Sequence, residues 1–393
     1  MTGTCNALIR NLSNGSSLLK RKKKALVLLV VLAVAFTAFA QGGAESKAAA
    51  AANKIAMVTD YGDITDQSFN QTTYEACRDY ATSKGIEFKY YKPTGDSTAE
   101  RVKMIMTAIE DGFNVIVLPG FAFGEAVQEA APLYPDAKFI ALDVSEFDLG
   151  GKVPANVYAV VYQEELAGYM AGYAAVKLGY TKLGYLGGMA VPAVVRYGYG
   201  FVQGADQAAK ETGAKVELKY TYGNQFFGDA DITAAMDTWY KAGTQAVFAC
   251  GGGIYTSAAE AAAKVGGKVI GVDVDQAPII DGAYGKGITI TSAMKGLYAS
   301  AQAALKTICE DNNWASLAGK AGNLGLVGNN PDLNYVGIPT GAGTQFSAAF
   351  TLDNYKALVA DMFAGKIKVD NSIEVAPAKM AKNFTVQDFG TIK

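Results

Sequence analysis

The sequence contains no histidine. Without an imidazole there is no Ser-His-Asp or Cys-His nucleophilic apparatus, no histidine-ligated zinc or iron, and no histidine switch near neutral pH. Arginine is almost as scarce, and past residue 40 only Arg78, Arg101 and Arg196 remain. Planar, bidentate capture of phosphate or carboxylate draws on arginine, so a nucleotide, a sugar phosphate or a free amino acid is a poor match as ligand. Arg78 and Arg101 fall in helical patterns and are expected at the surface. Cysteine is sparse too. Of the four, the three past residue 40, Cys77, Cys250 and Cys309, form an odd set without metal-ligand spacing, which fits small core residues and not a disulfide framework. Phosphate-cradling loops are also missing: there is no G-x-x-x-x-G-K-[ST], and Gly198-x-Gly200-x-x-x-Gly204 has the wrong spacing for a dinucleotide fingerprint.

What is present is unevenly distributed. The 35 basic and 37 acidic residues give a net charge of -2. The first 40 residues hold Arg10, Lys20, Arg21, Lys22, Lys23 and Lys24 and no acid, so the remainder carries 29 basic against 37 acidic residues, a net of -8. An acidic body argues against a nucleic-acid partner. The cationic block is followed by an apolar run over 25–39 and by Ala38-Phe39-Ala40, the order of a secretory signal peptide. The run is shorter than the roughly 20 residues that span a bilayer as a helix. The expectation is a signal peptide over 1–40 cleaved before Gln41, with an uncleaved anchor as the alternative. Cys5 precedes the cationic block and is not placed as a lipid acceptor. Residues 41–53 read as a flexible lead-in, and the body is expected in the periplasm or at the cell surface.

From Lys54 onward short apolar runs ending in Gly, Pro or Asp alternate with helical patterns. Strands are expected at 55–58, 115–118, 139–142, 183–186, 246–250, 269–272 and 288–292, and helices at 70–84, 98–111, 163–177, 199–212, 232–241 and 254–264. Such alternation predicts an α/β fold with parallel sheets flanked by helices. The pattern runs once to about residue 162 and again from about 181 to 281, so two lobes are expected. Residues 54–162 plus about 293–330 are assigned to the first, and 163–292 plus about 331–393 to the second. Ligands of open α/β sheets sit beyond the carboxyl ends of strands, which places the site in the cleft between the lobes.

Several motifs stand at those strand ends. They are Met57-Val58-Thr59-Asp60 with Asp66-Gln67-Ser68-Phe69-Asn70-Gln71; Gly187-Gly188-Met189 through Pro192; Arg196-Tyr197-Gly198-Tyr199-Gly200; Gly271-Val272-Asp273-Val274-Asp275-Gln276; and Thr291-Ser292-Ala293-Met294-Lys295. In this order they resemble the basic membrane protein family of ABC-transporter substrate-binding proteins, of the purine-nucleoside receptor type. The resemblance covers nearly all of 54–305, and 312–393 is less distinctive.

The resemblance implies a type I periplasmic binding protein with three crossovers between its lobes, acting as a monomer, that hands a purine nucleoside to an ABC transporter permease without a cofactor, a metal or a reaction. Its site residues would be Asp60, Ser68, Phe69, Asn70, Asp143, Phe248, Gly252, Asp273 and Lys295. Phe69 would stack on the base, Asn70 and Asp143 would hydrogen-bond it, Asp273 and Lys295 would hold the ribose, and Gly252 would let the backbone approach the sugar. Phe248 is expected as the second stacking aromatic, with Phe226, Phe227 and Tyr255 as alternatives. Independently of the resemblance, a carboxylate suits vicinal hydroxyls, because charge-assisted hydrogen bonds contribute about 1.5–3 kcal/mol each. The plainer readings are an Asp273–Lys295 ion pair across the hinge, Phe69 in the core and Asn70 as a helix cap. Two other functions remain open at this level. One is a membrane-held sensor, if the N-terminal run is retained; the other is a hydrolase using Asp60, Asp63 and Asp66.

Overall fold

The computed structural model describes residues 52–60 and 62–392, so the expected signal peptide, its cleavage site and most of the lead-in lie outside the described residues. Two sheets organise the rest. The first runs in the order β11-β5-β4-β3-β1-β2 and is parallel throughout. It comprises β1 (Ile55–Val58), β2 (Phe88–Tyr91), β3 (Val115–Pro119), β4 (Lys138–Leu142), β5 (Val157–Tyr162) and β11 (Lys320–Leu324). The second runs β12-β10-β9-β8-β6-β7-β13 and is parallel except for β12. Its strands are β6 (Lys182–Gly187), β7 (Glu217–Tyr222), β8 (Ala246–Cys250), β9 (Lys268–Asp273), β10 (Thr289–Lys295), β12 (Val336–Gly337) and β13 (Val386–Thr391). The chain leaves the first sheet after β5, returns to it for β11 and leaves it again for β12.

Helices cover both faces, which explains why the central strands read as unbroken apolar runs. Every residue of β1, β3 and β8 is buried. Within β1, Ile55 and Met57 enter one core while Ala56 and Val58 enter another on the opposite face. The first of these cores takes in α1 (Phe69–Lys84) and α9 (Leu297–Cys309) and continues through α4 (Glu164–Lys177) and α5 (Pro192–Thr212) onto the second sheet. The second is closed by α2 (Thr98–Glu110) and α3 (Phe123–Ala130). A third lies under α6 (Ala230–Lys241), α7 (Tyr255–Ala263) and α8 (Ala277–Tyr284). The last helix, α10 (Leu352–Phe363), starts with a capping box at Thr351 and Asn354. Among the described residues no helix is long and apolar enough to cross a membrane.

The sequence expectations differ from the structure where tertiary contacts decide. Helix α5 begins at Pro192, seven residues before the expected start, with proline in its first turn. Its glycines belong to helix packing: a Cβ on Gly200 or Gly204 would collide with the carbonyls of Glu165 and Tyr169, and one on Gly168 or Gly172 with those of Tyr197 and Phe201. Helices α4 and α5 therefore touch backbone to backbone. Arg101, expected at the surface, is buried and paired with Asp96, whereas Arg78 is half exposed beside Asp79. Cys77 and Cys250 are buried, Cys309 is half-buried, and all three are free thiols.

Candidate functional site

A cavity of about 370 Å³ opens between the two sheets at the carboxyl ends of β1, β3, β4, β8, β9 and β10. The first polar device on its wall is the start of α1. Asp66 accepts from the backbone N–H groups of Ser68 (2.9 Å) and Gln71 (3.1 Å) with one oxygen, and from Asn70 N (2.9 Å) with the other. It thus covers the orphan donors of the first turn. Asn70 is consequently inside the first turn and does not cap the helix. Its side-chain Nδ2 donates to Asp66 Oδ2 at 3.2 Å.

Asp143, just after β4, and Asp273, the last residue of β9, occupy matching strand ends. Both adopt left-handed backbone conformations, with φ of 59° and 65°. Outside glycine this costs on the order of 1–3 kcal/mol per residue and concentrates at functional sites. Lys295 at the end of β10 lies between them. Its Nζ is 2.6 Å from Asp143 Oδ2, 3.6 Å from Glu164 Oε1 and 3.8 Å from Asp273 Oδ1. It also faces the Phe69 ring at 4.7 Å. Glu164, fully buried in the first turn of α4, is held from behind by Arg196 Nε at 2.7 Å. Burial pulls Lys295 down, but the carboxylates of Asp143, Asp273 and Glu164 outweigh it and raise its pKa. Burial pushes Asp273 up against the opposing pull of Lys295 and the Ser68 hydroxyl. Glu164 is likewise raised by burial, against Arg196 and Lys295. A lysine so buried stays charged only because carboxylates surround it.

The expected site residues fall into two groups. Asp60, Phe69, Asn70, Asp143, Gly252, Asp273 and Lys295 all line the cavity. Two do not. Ser68 is fully buried and donates its hydroxyl to Asp273 Oδ2 at 2.7 Å, joining the two lobes instead of facing the space between them. Phe248 is fully buried in β8, edge-on to Tyr185 and Tyr197 and packed on Phe201. Its side chain points into the sheet core, so the second aromatic of the wall is not Phe248. Of the alternatives, Tyr255 is buried in the core under α7, while Phe226 and Phe227 line the cavity, Phe227 at its exposed rim. Phe226 rests on glycines from two strand ends. Added Cβ atoms on Gly188 and Gly251 would strike its ring, and one on Gly252 would lie 2.9 Å from its carbonyl oxygen. Gly252, with φ of 51°, is required by that loop, which Gly253 N fastens through the Phe226 carbonyl at 2.8 Å.

Sequence reasoning missed Glu164, Tyr197 and the role of Arg196. Glu164 stands two residues after the end of the apolar β5, and an acid there reads as an ordinary first-turn residue. The arginine shortage was the available signal, since Arg196 alone of the three stands in a motif. The acidic cluster is accounted for by local structure: Asp66 caps α1, and Asp63 is exposed and paired with Lys92 at 2.9 Å.

Known proteins resemble this chain in sequence and in fold. The chain is 30% identical over 240 residues to the ABC transporter nucleoside-binding protein BmpA of Lactococcus lactis, covering 57% of this chain and 64% of the relative. It is 27% identical over 228 residues to basic membrane protein A of Borreliella burgdorferi, covering 57% and 64% respectively. An uncharacterized lipoprotein of Pyrococcus abyssi is 30% identical over 197 residues, 49% of this chain and 47% of that one. The chain thus spans less than two thirds of the length of these curated relatives. Among solved structures, solute-binding proteins of ABC transporter systems from Aeropyrum pernix and Conexibacter woesei each superpose with a TM-score of 0.62 at 20% identity. These matches cover 81% of this chain and 88% and 99% of theirs. At that identity the likeness establishes the fold, the two-lobed type I architecture of periplasmic binding proteins. The Bmp profile, ABC transporter substrate-binding protein PnrA-like, matches residues 53–335. With well over half of its length matched, the chain belongs to the Bmp family, which groups substrate-binding proteins of transporters and not enzymes.

Proposed function

We propose that this protein is exported, closes its two lobes around a purine nucleoside and presents it to the permease of an ABC importer. The observation that carries the reading is the composition of the cavity wall. Each lobe contributes a phenylalanine, Phe69 from α1 and Phe226 from the loop after β7, and a carboxylate–ammonium group of Asp143, Asp273 and Lys295 stands beside them. Aromatic faces suit a flat base and contribute about 1–3 kcal/mol per stacked base. Asp273 at a strand end suits the two hydroxyls of a ribose, and Lys295 a ribose oxygen, while Asn70 and Asp143 are left for the base. None of the three arginines lines the cavity, and Asp60, Asp63, Asp66, Asp143 and Asp273 face it against the one ammonium of Lys295. A phosphate or a free carboxylate would meet net repulsion there, so the nucleoside is neutral. Contacts that need both lobes, such as a base between Phe69 and Phe226, favour the closed form and drive closure.

The nucleoside-binding name of the lactococcal relative supports the ligand class. Removing Asp273 tests the assignment. Calorimetry should show Asp273→Ala weakening nucleoside binding by about tenfold or more, since a charge-assisted pair is lost, while binding of the free base changes little. Equal losses for nucleoside and base would remove the ribose role. Retention of the N-terminal run would turn the same lobes into a membrane-held sensor, and the N-terminal sequence of the exported protein separates the two.

A further inference from the structure

Two hydrogen bonds tie the loop before α1, beside the first sheet, to the carboxyl end of β9 in the second. Ser68 Oγ donates to Asp273 Oδ2 at 2.7 Å, and Gln276 Nε2 donates to the Gln67 carbonyl at 3.1 Å. Ser68 and Gln276 are fully buried, and neither they nor Gln67 line the cavity. Both sides of the joint are built before they meet. Gln276 Oε1 accepts from Val272 N at 2.9 Å, and Gln276 N donates to Ser292 Oγ at 3.1 Å. With its oxygen spent inside the second sheet, the amide turns its NH2 end toward Gln67. On the other side Gln67 holds a left-handed backbone, φ 55°, and donates its N–H to Gln71 Oε1 at 3.1 Å. The Ser68 side chain makes no capping bond to α1, so its hydroxyl is free to serve Asp273.

Opening the cleft would break both bonds, whereas each side keeps its own internal ones. Resting on the closure described above, we propose that this pair is a latch: Ser68 and Gln276, which do not reach the ligand, set how readily the lobes shut and thereby set affinity. The apparent dissociation constant is the intrinsic one divided by the fraction of protein in the binding-competent form. A base held between Phe69 and Phe226 already needs both lobes, so the latch acts alike on a nucleoside and on its free base. A ribose contact acts on the nucleoside alone, which separates the latch from any indirect effect through Asp273.

Two variants test this from opposite sides. Ser68→Ala removes one hydroxyl. Gln276→Glu keeps the acceptor for Val272 N and sets a carboxylate against the Gln67 carbonyl; at pH 8, closure must either bury that charge or protonate it, and both disfavour the closed form. Calorimetry at pH 8 should show each variant binding adenosine and adenine about fivefold or more weakly than the native protein, the effect of one lost buried hydrogen bond, with the same factor for both ligands. An unchanged affinity, or a loss confined to adenosine, overturns the latch and leaves the nucleoside reading intact. If the native protein binds neither compound, the nucleoside reading falls, and small-angle scattering of the ligand-free proteins decides the latch by itself. Both variants should then show a larger radius of gyration than the native protein at equal unfolding midpoints, and equal radii overturn the proposal.

Discussion

Replacing Lys295 by methionine keeps the length of the side chain and removes its charge. In the native protein that ammonium serves Asp143 at 2.6 Å, Glu164 at 3.6 Å and Asp273 at 3.8 Å, and only 3% of its side chain is exposed. Glu164 retains Arg196 at 2.7 Å, and Asp273 retains the Ser68 hydroxyl at 2.7 Å. Asp143 loses the only cation bonded to it among the described residues. The cluster passes from three carboxylates against two cations to three against one. Removing one partner of a buried pair costs about 3–5 kcal/mol, because the other charge stays buried. Urea unfolding followed by circular dichroism should therefore show a lower midpoint for Lys295→Met at pH 7 with an unchanged m value. The pH dependence carries a second sign. Burial already holds the Asp273 and Glu164 carboxyls above their ordinary range, and loss of the ammonium raises them further. A carboxyl raised on folding stabilises below its unfolded pKa and loses that contribution as pH rises through the folded value. The deficit of Lys295→Met should be largest near pH 8 and shrink toward pH 5. A variant unfolding at the native midpoint at pH 7, or a deficit that grows on acidification, refutes the ion-cluster account.

Other consequences follow from the same contacts. Glu165 is pushed up to about 7, chiefly by burial and further by Glu164, so its ionisation opposes folding as pH rises from about 4.5 to 7. Glu165→Gln should match the native protein near pH 5 and exceed it by up to about 3 kcal/mol at pH 8, read from urea midpoints at the two pH values; a gain that is larger in acid contradicts this. A Cβ on Gly204 has no room beside the Tyr169 carbonyl, so Gly204→Val should destabilise by about 3 kcal/mol or more through forced separation of α4 and α5, and a native thermal midpoint would show the helices to be less closely packed. Phe226→Ala should leave the unfolding midpoint nearly unchanged and weaken nucleoside binding by about 1–3 kcal/mol, whereas Phe248→Ala should cost about 3–5 kcal/mol of stability. Calorimetry alongside thermal melts separates a wall residue from a core one.

The contrast between those two phenylalanines shows what the sequence could convey. Central strands such as Ile55–Val58 and Ala246–Cys250 are legible because burial on both faces leaves an apolar run, and their ends mark the cleft. Strands β11 and β13 are largely exposed edges of their sheets, so they carry no such run and escape notice. Phe248 stands in an apolar strand beside a glycine turn, which gives no hint of the face on which its ring lies. The clue to Phe226 was distributed: Gly188 after β6 and Gly251 and Gly252 after β8 are far apart in the chain and make room for one ring only once the strands pair. Ser68 and Glu164 escape for a related reason. Each acts through a partner brought close by the fold, Asp273 in one case and Lys295 with Arg196 in the other.

The central claim is that the cleft holds a neutral purine nucleoside, and the most direct test is the identity of the ligand that travels with the protein. Protein purified without denaturation and examined by native mass spectrometry should carry one purine nucleoside per chain, released intact on unfolding. A sugar, an amino acid or a phosphorylated nucleotide in that place would contradict the account.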